Sequence, residues 1–219
     1  MKAFAFDPPA CPQTILLIRH GQSLWNSRKR VTGQLDPGLS ETGKRQALAL
    51  AETLASVPVH AIYTSRLERT VHTAQPTAKR HGLAIHVDSR LDEIHHGILQ
   101  GRYRDERDPE AQALWEQRKK DKLRFRFPGG ENLLDVAHRV LPFLESMMVR
   151  EQGKQVLIVG HRNTNRVILG LLLGAAPEAW DAINPRSRAL YEIGPLHRDR
   201  NVQIHTLPDA AMQPSNRGI

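Results

Sequence analysis

Two histidines each follow a short apolar run: His20 lies two residues beyond Thr14–Ile18, and His161 two residues beyond Val156–Val159. A neutral imidazole is a competent nucleophile, and a covalent intermediate divides one difficult displacement into two easier ones. Arg19 precedes His20, and arginine dominates the cations of the chain, with 23 Arg and 8 Lys against 23 Asp and Glu, for a net charge of +8. The guanidinium fork matches phosphate oxygens, so phosphate chemistry is one reading of the excess; genome base composition is the other. The basic residues are dispersed apart from a denser stretch at 118–126. That is a weak signal for nucleic acid, and no nucleic-acid partner is expected.

The histidines need elements to position them. Thr14–Ile18, Ala61–Thr64, Ala84–Val87 and Val156–Val159 have the short apolar pattern of strands, and Ala189–Ile193 and Val202–Thr206 suit two closing strands. Between them, Ser40 opens a helix that ends before Pro58, and Arg66–His81 forms a second, stopped by Gly82. Asp105–Asp121 reads as a polar helix. Leu133 to Met148 carries a helical apolar stripe that Pro142 should bend, and Thr164–Leu173 forms a last helix. Alternation of this kind predicts an α/β three-layer sandwich with a mainly parallel central sheet flanked by helices. Ligands bind beyond the carboxyl ends of such strands, where both histidines fall.

Length and composition agree with that architecture. The 219 residues suit a single domain, with a core over about 14–206 and a loose tail at 207–219. One cysteine, Cys11, cannot form an internal disulfide. No apolar run reaches the roughly 18 residues that a membrane helix needs, so no membrane association is expected. Asp7 and two prolines interrupt the N-terminal segment, unlike a signal peptide, and a cytoplasmic location is the simplest expectation.

The segment Leu17-Ile18-Arg19-His20-Gly21-Gln22-Ser23-Leu24-Trp25-Asn26 resembles the entry motif of the histidine phosphatase superfamily, in its phosphoglycerate-mutase-like branch. Three more segments match in order. Thr64-Ser65-Arg66-Leu67-Glu68-Arg69-Thr70 is similar to the one that supplies a pocket arginine, here Arg69. Leu91-Asp92-Glu93-Ile94-His95-His96-Gly97-Ile98-Leu99-Gln100-Gly101 resembles the one that carries the acid, here Glu93, and Val156–His161 the strand that delivers the second histidine. The resemblance spans about residues 14–193. It implies a phosphohistidine on His20, with Arg19, Arg69 and a protonated His161 neutralising the phosphoryl oxygens. Asn26 would donate a further hydrogen bond, and Gly33 joins the substrate-binding set. Glu93 would protonate the leaving alkoxide, since like-charge repulsion from bound phosphate favours its acid form. The chemistry implied uses no metal and no cofactor; His95 and His96 lack the partner pattern of a metal site.

Substrate choice is read from the basic stretch. Arg118 to Glu131 resembles the segment before the long helix in phosphatases of the fructose-2,6-bisphosphatase type. That likeness points to Arg118, Lys122 and Arg166 as contacts for a second anionic group. Arg118 and Lys122, four apart on a helix, would share one face. Arg162, where relatives often carry a small residue or glutamine, could bind such a group or point outward. A phosphomonoesterase acting on a small phosphorylated metabolite is therefore the leading expectation. Phosphoglycerate mutase is the alternative, although mutases usually carry a longer insertion than the 67 residues between Glu93 and His161. A non-enzymatic basic module binding nucleic acid or a phosphorylated protein comes third. The oligomeric state is not legible.

Overall fold

The computed structural model describes residues 12–25, 28–194 and 201–208. Cys11, Asn26 and the segment beyond residue 208 lie outside the described residues. Six strands form one sheet: β1 (Thr14–Arg19), β2 (Ala61–Thr64), β3 (Ile85–Val87), β4 (Gln155–Gly160), β5 (Ala189–Ile193) and β6 (Val202–Thr206), in the spatial order β3-β2-β4-β1-β5-β6. The first four in that order run parallel, and β5 and β6 close the sheet antiparallel.

Successive strand residues point to opposite faces. Leu16, Ile18, Ile62, Leu157 and Val159 pack with Leu50 of α1 (Glu41–Thr53) and with Ala74 and Ala78 of α2 (Glu68–His81). Ile15, Leu17, Tyr63, Val156 and Ile158 face the other way, onto α4 (Leu133–Arg150) and α5 (Arg162–Leu172). The result is the expected three layers. Each fully buried Leu, Ile or Val contributes about 1.5–3 kcal/mol, so the two central strands are the most firmly held part of the sheet. A smaller separate cluster, Val31, Leu99, Ala111 and Phe127, supports α3 (Pro109–Lys120).

Several boundaries shift from the expected ones because side chains intercept backbone donors. Arg66 N–H goes to Asp92 and Leu67 N–H to Ser65 Oγ, so the second helix starts at Glu68. Asp108 accepts from Ala111 N–H and Pro109 follows it, which starts α3 four residues later than the polar pattern suggests. α5 begins directly at Arg162, with His161 as its N-cap. α4 opens on a capping box between Asn132 and Asp135 and continues through Pro142.

Candidate active site

Strands β1 and β4 lie side by side with Arg19 opposite Gly160, so their next residues, His20 and His161, emerge together at the carboxyl ends. The ring centroids are 5.1 Å apart at an interplanar angle of 59°. His20 N–H donates to Gly160 O at 2.9 Å, which ties the two strand ends directly. The His20 ring is oriented by its own neighbour: Nδ1 lies 2.6 Å from Gly21 O. A carbonyl can only accept, so Nδ1 carries the hydrogen and Nε2 keeps its lone pair. Burial, followed by the charges of Arg19 and Arg69, holds His20 well below the usual histidine range, outweighing the Gly21 hydrogen bond. Gly21 is required sterically, since a Cβ there would meet Gly43 O at 2.6 Å.

His161 is fully buried. Its Nε2 lies 2.8 Å from Ser65 Oγ, and its Nδ1 has no hydrogen-bond partner among the described residues. Burial, then Arg69, His20 and Arg19, push its pKa well below the usual histidine range, which opposes the positive charge expected on this ring.

Arg69 is buried at the start of α2. It donates to Leu35 O and Gly33 O, each at 2.7 Å, and to Asp36 Oδ1 at 3.3 Å. Asp36 also accepts from Glu68 N–H, stapling the 33–36 loop to the first turn of α2. Gly33 has a left-handed backbone, φ +53°, and a Cβ there would sit 2.2 Å from Gln100 Oε1. Its carbonyl is committed to Arg69, so its remaining polar group is the N–H. Buried Arg19 Nε and Arg69 Nε, like His161 Nδ1, have no partner among the described residues. Three unsatisfied nitrogens around one imidazole mark a place for an anion.

Glu93 reaches the same place from the loop after β3. Its carboxylate accepts from Ile94 N–H at 2.9 Å and from Asn163 N–H, in the first turn of α5, at 3.2 Å. Behind it, Arg139 and Glu131 form a partly buried pair. Arg139 also donates to Arg90 O, and Glu131 accepts from His95 N–H, which fixes the backbone on both sides of the acid.

These residues open onto a cavity of about 580 Å³. Nine Arg and Lys side chains line it, against one carboxylate, Glu93, among the described residues. His20, Arg19, Arg69, Glu93 and Gly33 are in its wall, as are Arg118, Lys122, Arg162 and Arg166; His161 is not. Arg118 and Arg166 both donate to Asn163 Oδ1 at 3.3 Å, and Arg118 stacks over the Trp115 ring. Burial lowers the pKa of Arg118 to about 10, with Arg166 adding to the effect. Arg162 is exposed and donates to Asn184 Oδ1 at 2.9 Å, with its side chain on the cavity wall.

The expected helical pairing of Arg118 with Lys122 is corrected. α3 ends at Lys120, so Lys122 reaches the cavity from the following turn and is bound by Asp181 at 2.6 Å. Arg104, which sequence reasoning missed, lines the cavity beside Trp115, and burial and Arg162 lower its pKa. It sits in a polar stretch without periodicity. Asp36, Ser65 and Asn163 were also missed. Each works through a neighbour, although Ser65 lies within a motif quoted above.

No group of three His, Cys, Asp or Glu among the described residues is arranged to hold a metal ion. Among them, no helix is long and apolar enough to cross a membrane. The sequence profile of the histidine phosphatase superfamily (branch 1) matches residues 15–207. The chain belongs to that superfamily. It is 37% identical over 163 residues to phosphoserine phosphatase 1 of Hydrogenobacter thermophilus, covering 73% of this chain and 76% of that protein. It is 31% identical over 179 residues to the Yersinia enterocolitica protein named "Probable phosphoglycerate mutase GpmB", covering 82% and 83%. Among solved structures, it superposes on a mycobacterial glucosyl-3-phosphoglycerate phosphatase in complex with VO3 with a TM-score of 0.78 at 28% identity, covering 88% of this chain and 97% of that one.

Proposed function

We propose that this single-domain histidine phosphatase is a phosphomonoesterase that hydrolyses a small phosphorylated metabolite through a phosphohistidine on His20. The observation that carries the reading is the 2.6 Å contact from His20 Nδ1 to Gly21 O, which leaves the Nε2 lone pair free inside a cluster of cations. Nε2 attacks phosphorus; the guanidinium groups of Arg19 and Arg69 take the phosphoryl oxygens, supplying their unpartnered nitrogens. Glu93 gives its proton to the leaving oxygen. In the second step it takes one from the water that attacks the phosphohistidine. The cations perform the charge neutralisation that metal ions supply elsewhere, so the reaction is read as metal-independent. A cytoplasmic location belongs to the same reading.

The substrate is read as carrying a second anionic group. Among the described residues, no carboxylate is hydrogen-bonded to Arg118, Arg162, Arg166 or Arg104, and Asn163 holds two of them through a neutral oxygen. Lys122 is already paired with Asp181 and contributes less. Asn26 and Gly33 N–H complete the proposed binding set at the phosphoryl end.

The test is chemical quench of enzyme mixed with a phosphorylated-metabolite panel. Acid-labile, base-stable phosphate should appear on the wild-type protein and be absent from a folded His20→Ala variant, which should lose essentially all turnover. Wild-type turnover in His20→Ala would overturn the mechanism. Phosphate release without a bisphosphate primer separates hydrolysis from mutase chemistry.

A further inference from the structure

A buried carboxylate beside an anion site needs a reason, because its charge repels the phosphoryl group that the cations attract. Asp92 is such a carboxylate: it is buried and immediately precedes Glu93. An unpaired buried charge is costly, and here both oxygens are paired with one residue. Oδ1 accepts from Arg66 N–H at 3.0 Å, and Oδ2 accepts from the Arg66 guanidinium at 2.8 and 2.6 Å. Arg66 sits between the end of β2 and Arg69. Arg69 is held independently by Gly33 O, Leu35 O and Asp36, so this stretch is a fixed frame. Among the described residues, no other side-chain hydrogen bond joins 65–70 to 91–94. On its other side, the Asp92 carbonyl accepts from Thr164 Oγ1 at 2.7 Å, one residue beyond the Asn163 N–H that meets the Glu93 carboxylate.

We propose that Asp92 is a positioning residue for the general acid: it hooks the Glu93 segment onto the frame that carries Arg69, and so sets the reach of the Glu93 carboxyl to the leaving oxygen. The inference rests on the acid role of Glu93 proposed above. Gln34 and Arg139 also reach this segment, donating to the Glu93 carbonyl at 3.0 and 3.3 Å. The Asp92 pairing has charge on both sides and two guanidinium contacts, which makes it the stronger tie. Without it, those weaker contacts and the first turn of α5 are left to place the acid. The contacts of Arg69 do not pass through Asp92, so the phosphoryl end stays intact. The cost therefore falls on substrates whose leaving oxygen needs a proton.

The test is kcat/KM of the full chain on an alkyl and an aryl phosphate, which reports the step in which the leaving oxygen departs. Asp92→Ala should lower the alkyl value about 10- to 100-fold, the scale of a small misplacement of a reacting group, and leave the aryl value nearly unchanged. Asp92→Asn, which keeps an oxygen for Arg66 N–H, should recover part of the loss. The deciding measurement is the double variant with Glu93→Gln. Once the transferable proton is gone, Asp92→Ala should cost nothing further on the alkyl phosphate, because a residue acting through the acid has nothing left to position. Arg66→Ala, which truncates an exposed side chain, should show the same substrate selectivity and the same lack of additivity, and it carries the test if Asp92→Ala does not fold. Equal losses on both substrates, or losses that multiply with Glu93→Gln, would overturn this proposal alone. If Glu93→Gln itself lowers both substrates equally, the acid role fails and this inference with it.

Discussion

The Glu93 carboxylate accepts from the backbone N–H of Asn163 at 3.2 Å, one residue into the helix that His161 caps. The acid is thus positioned by the same junction that carries the second histidine, although 67 residues separate the two in sequence. Glu93→Gln keeps an oxygen to accept that hydrogen bond and loses the transferable proton. Turnover of alkyl phosphates should fall about 10²- to 10⁴-fold, the usual range for losing a general acid. An aryl phosphate, whose leaving group needs little protonation, should lose far less. Equal losses on both substrates would remove Glu93 from the acid role.

Arg118→Ala and Arg162→Ala test the second anionic site. Each should remove a charged hydrogen bond worth about 1.5–3 kcal/mol, which is about 10- to 150-fold in kcat/KM. The loss should fall on substrates with two separated anionic groups and spare a small aryl phosphate. Parallel losses in the two substrate classes would reduce both arginines to packing.

Stability should fall on mild acidification. His20, His96 and His161 are buried, and burial holds all three well below the ordinary value of 6.5. The unfolded chain takes up these protons near pH 6.5, while the folded chain resists them. Their contribution is fully present above pH 6.5 and is lost as pH drops below it, by up to about 1.4 kcal/mol per pH unit for each histidine. Urea unfolding at pH 7.5, 6.0 and 5.0 measures the slope. His96→Gln should remove one proton from it, and a flat profile would contradict the burial argument.

Asp36→Ala should release the loop that Arg69 holds. It removes both the partner of Arg69 and the acceptor for Glu68 N–H at the start of α2. A lost helix-end acceptor costs about 1 kcal/mol, or about 2–4 °C in Tm for a chain of this size. Thermal melts and vanadate affinity should fall together. A lower Tm with unchanged affinity would confine Asp36 to helix capping.

Exhaustive EDTA treatment should leave turnover intact, since Arg19 and Arg69 supply the positive charge. Activity that disappears and returns only with an added divalent ion would contradict the metal-independent reading.

The layers and the strands were legible because β1, β2 and β4 are continuous apolar runs, and helices carry their own punctuation, such as Ser40 before α1 and Gly82 after α2; the order of the strands in the sheet was not. His20 and His161 were legible because a strand end is a local feature. Arg104 was not, since its role comes from where the 101–108 turns lie against Trp115, and nothing in its neighbours encodes that. The forces opposing charge on His161 were not legible for a related reason: burial and neighbours that include Arg69 and His20 set them, and these lie apart in the sequence. Lys122 was placed on a helix because i,i+4 spacing cannot reveal that the chain leaves the helix after Lys120.

The small apolar cluster beneath α3 has an evolutionary consequence. Val31, Leu99, Ala111 and Phe127 hold the wall that presents Arg118, while His20 and His161 hang from strands packed into the two large cores. Mutations that reshape the α3 wall draw on a separate and minor reserve of packing energy. The reaction centre can therefore stay fixed while lineages exchange one metabolite for another, with selection trying new walls around an unchanged pair of rings.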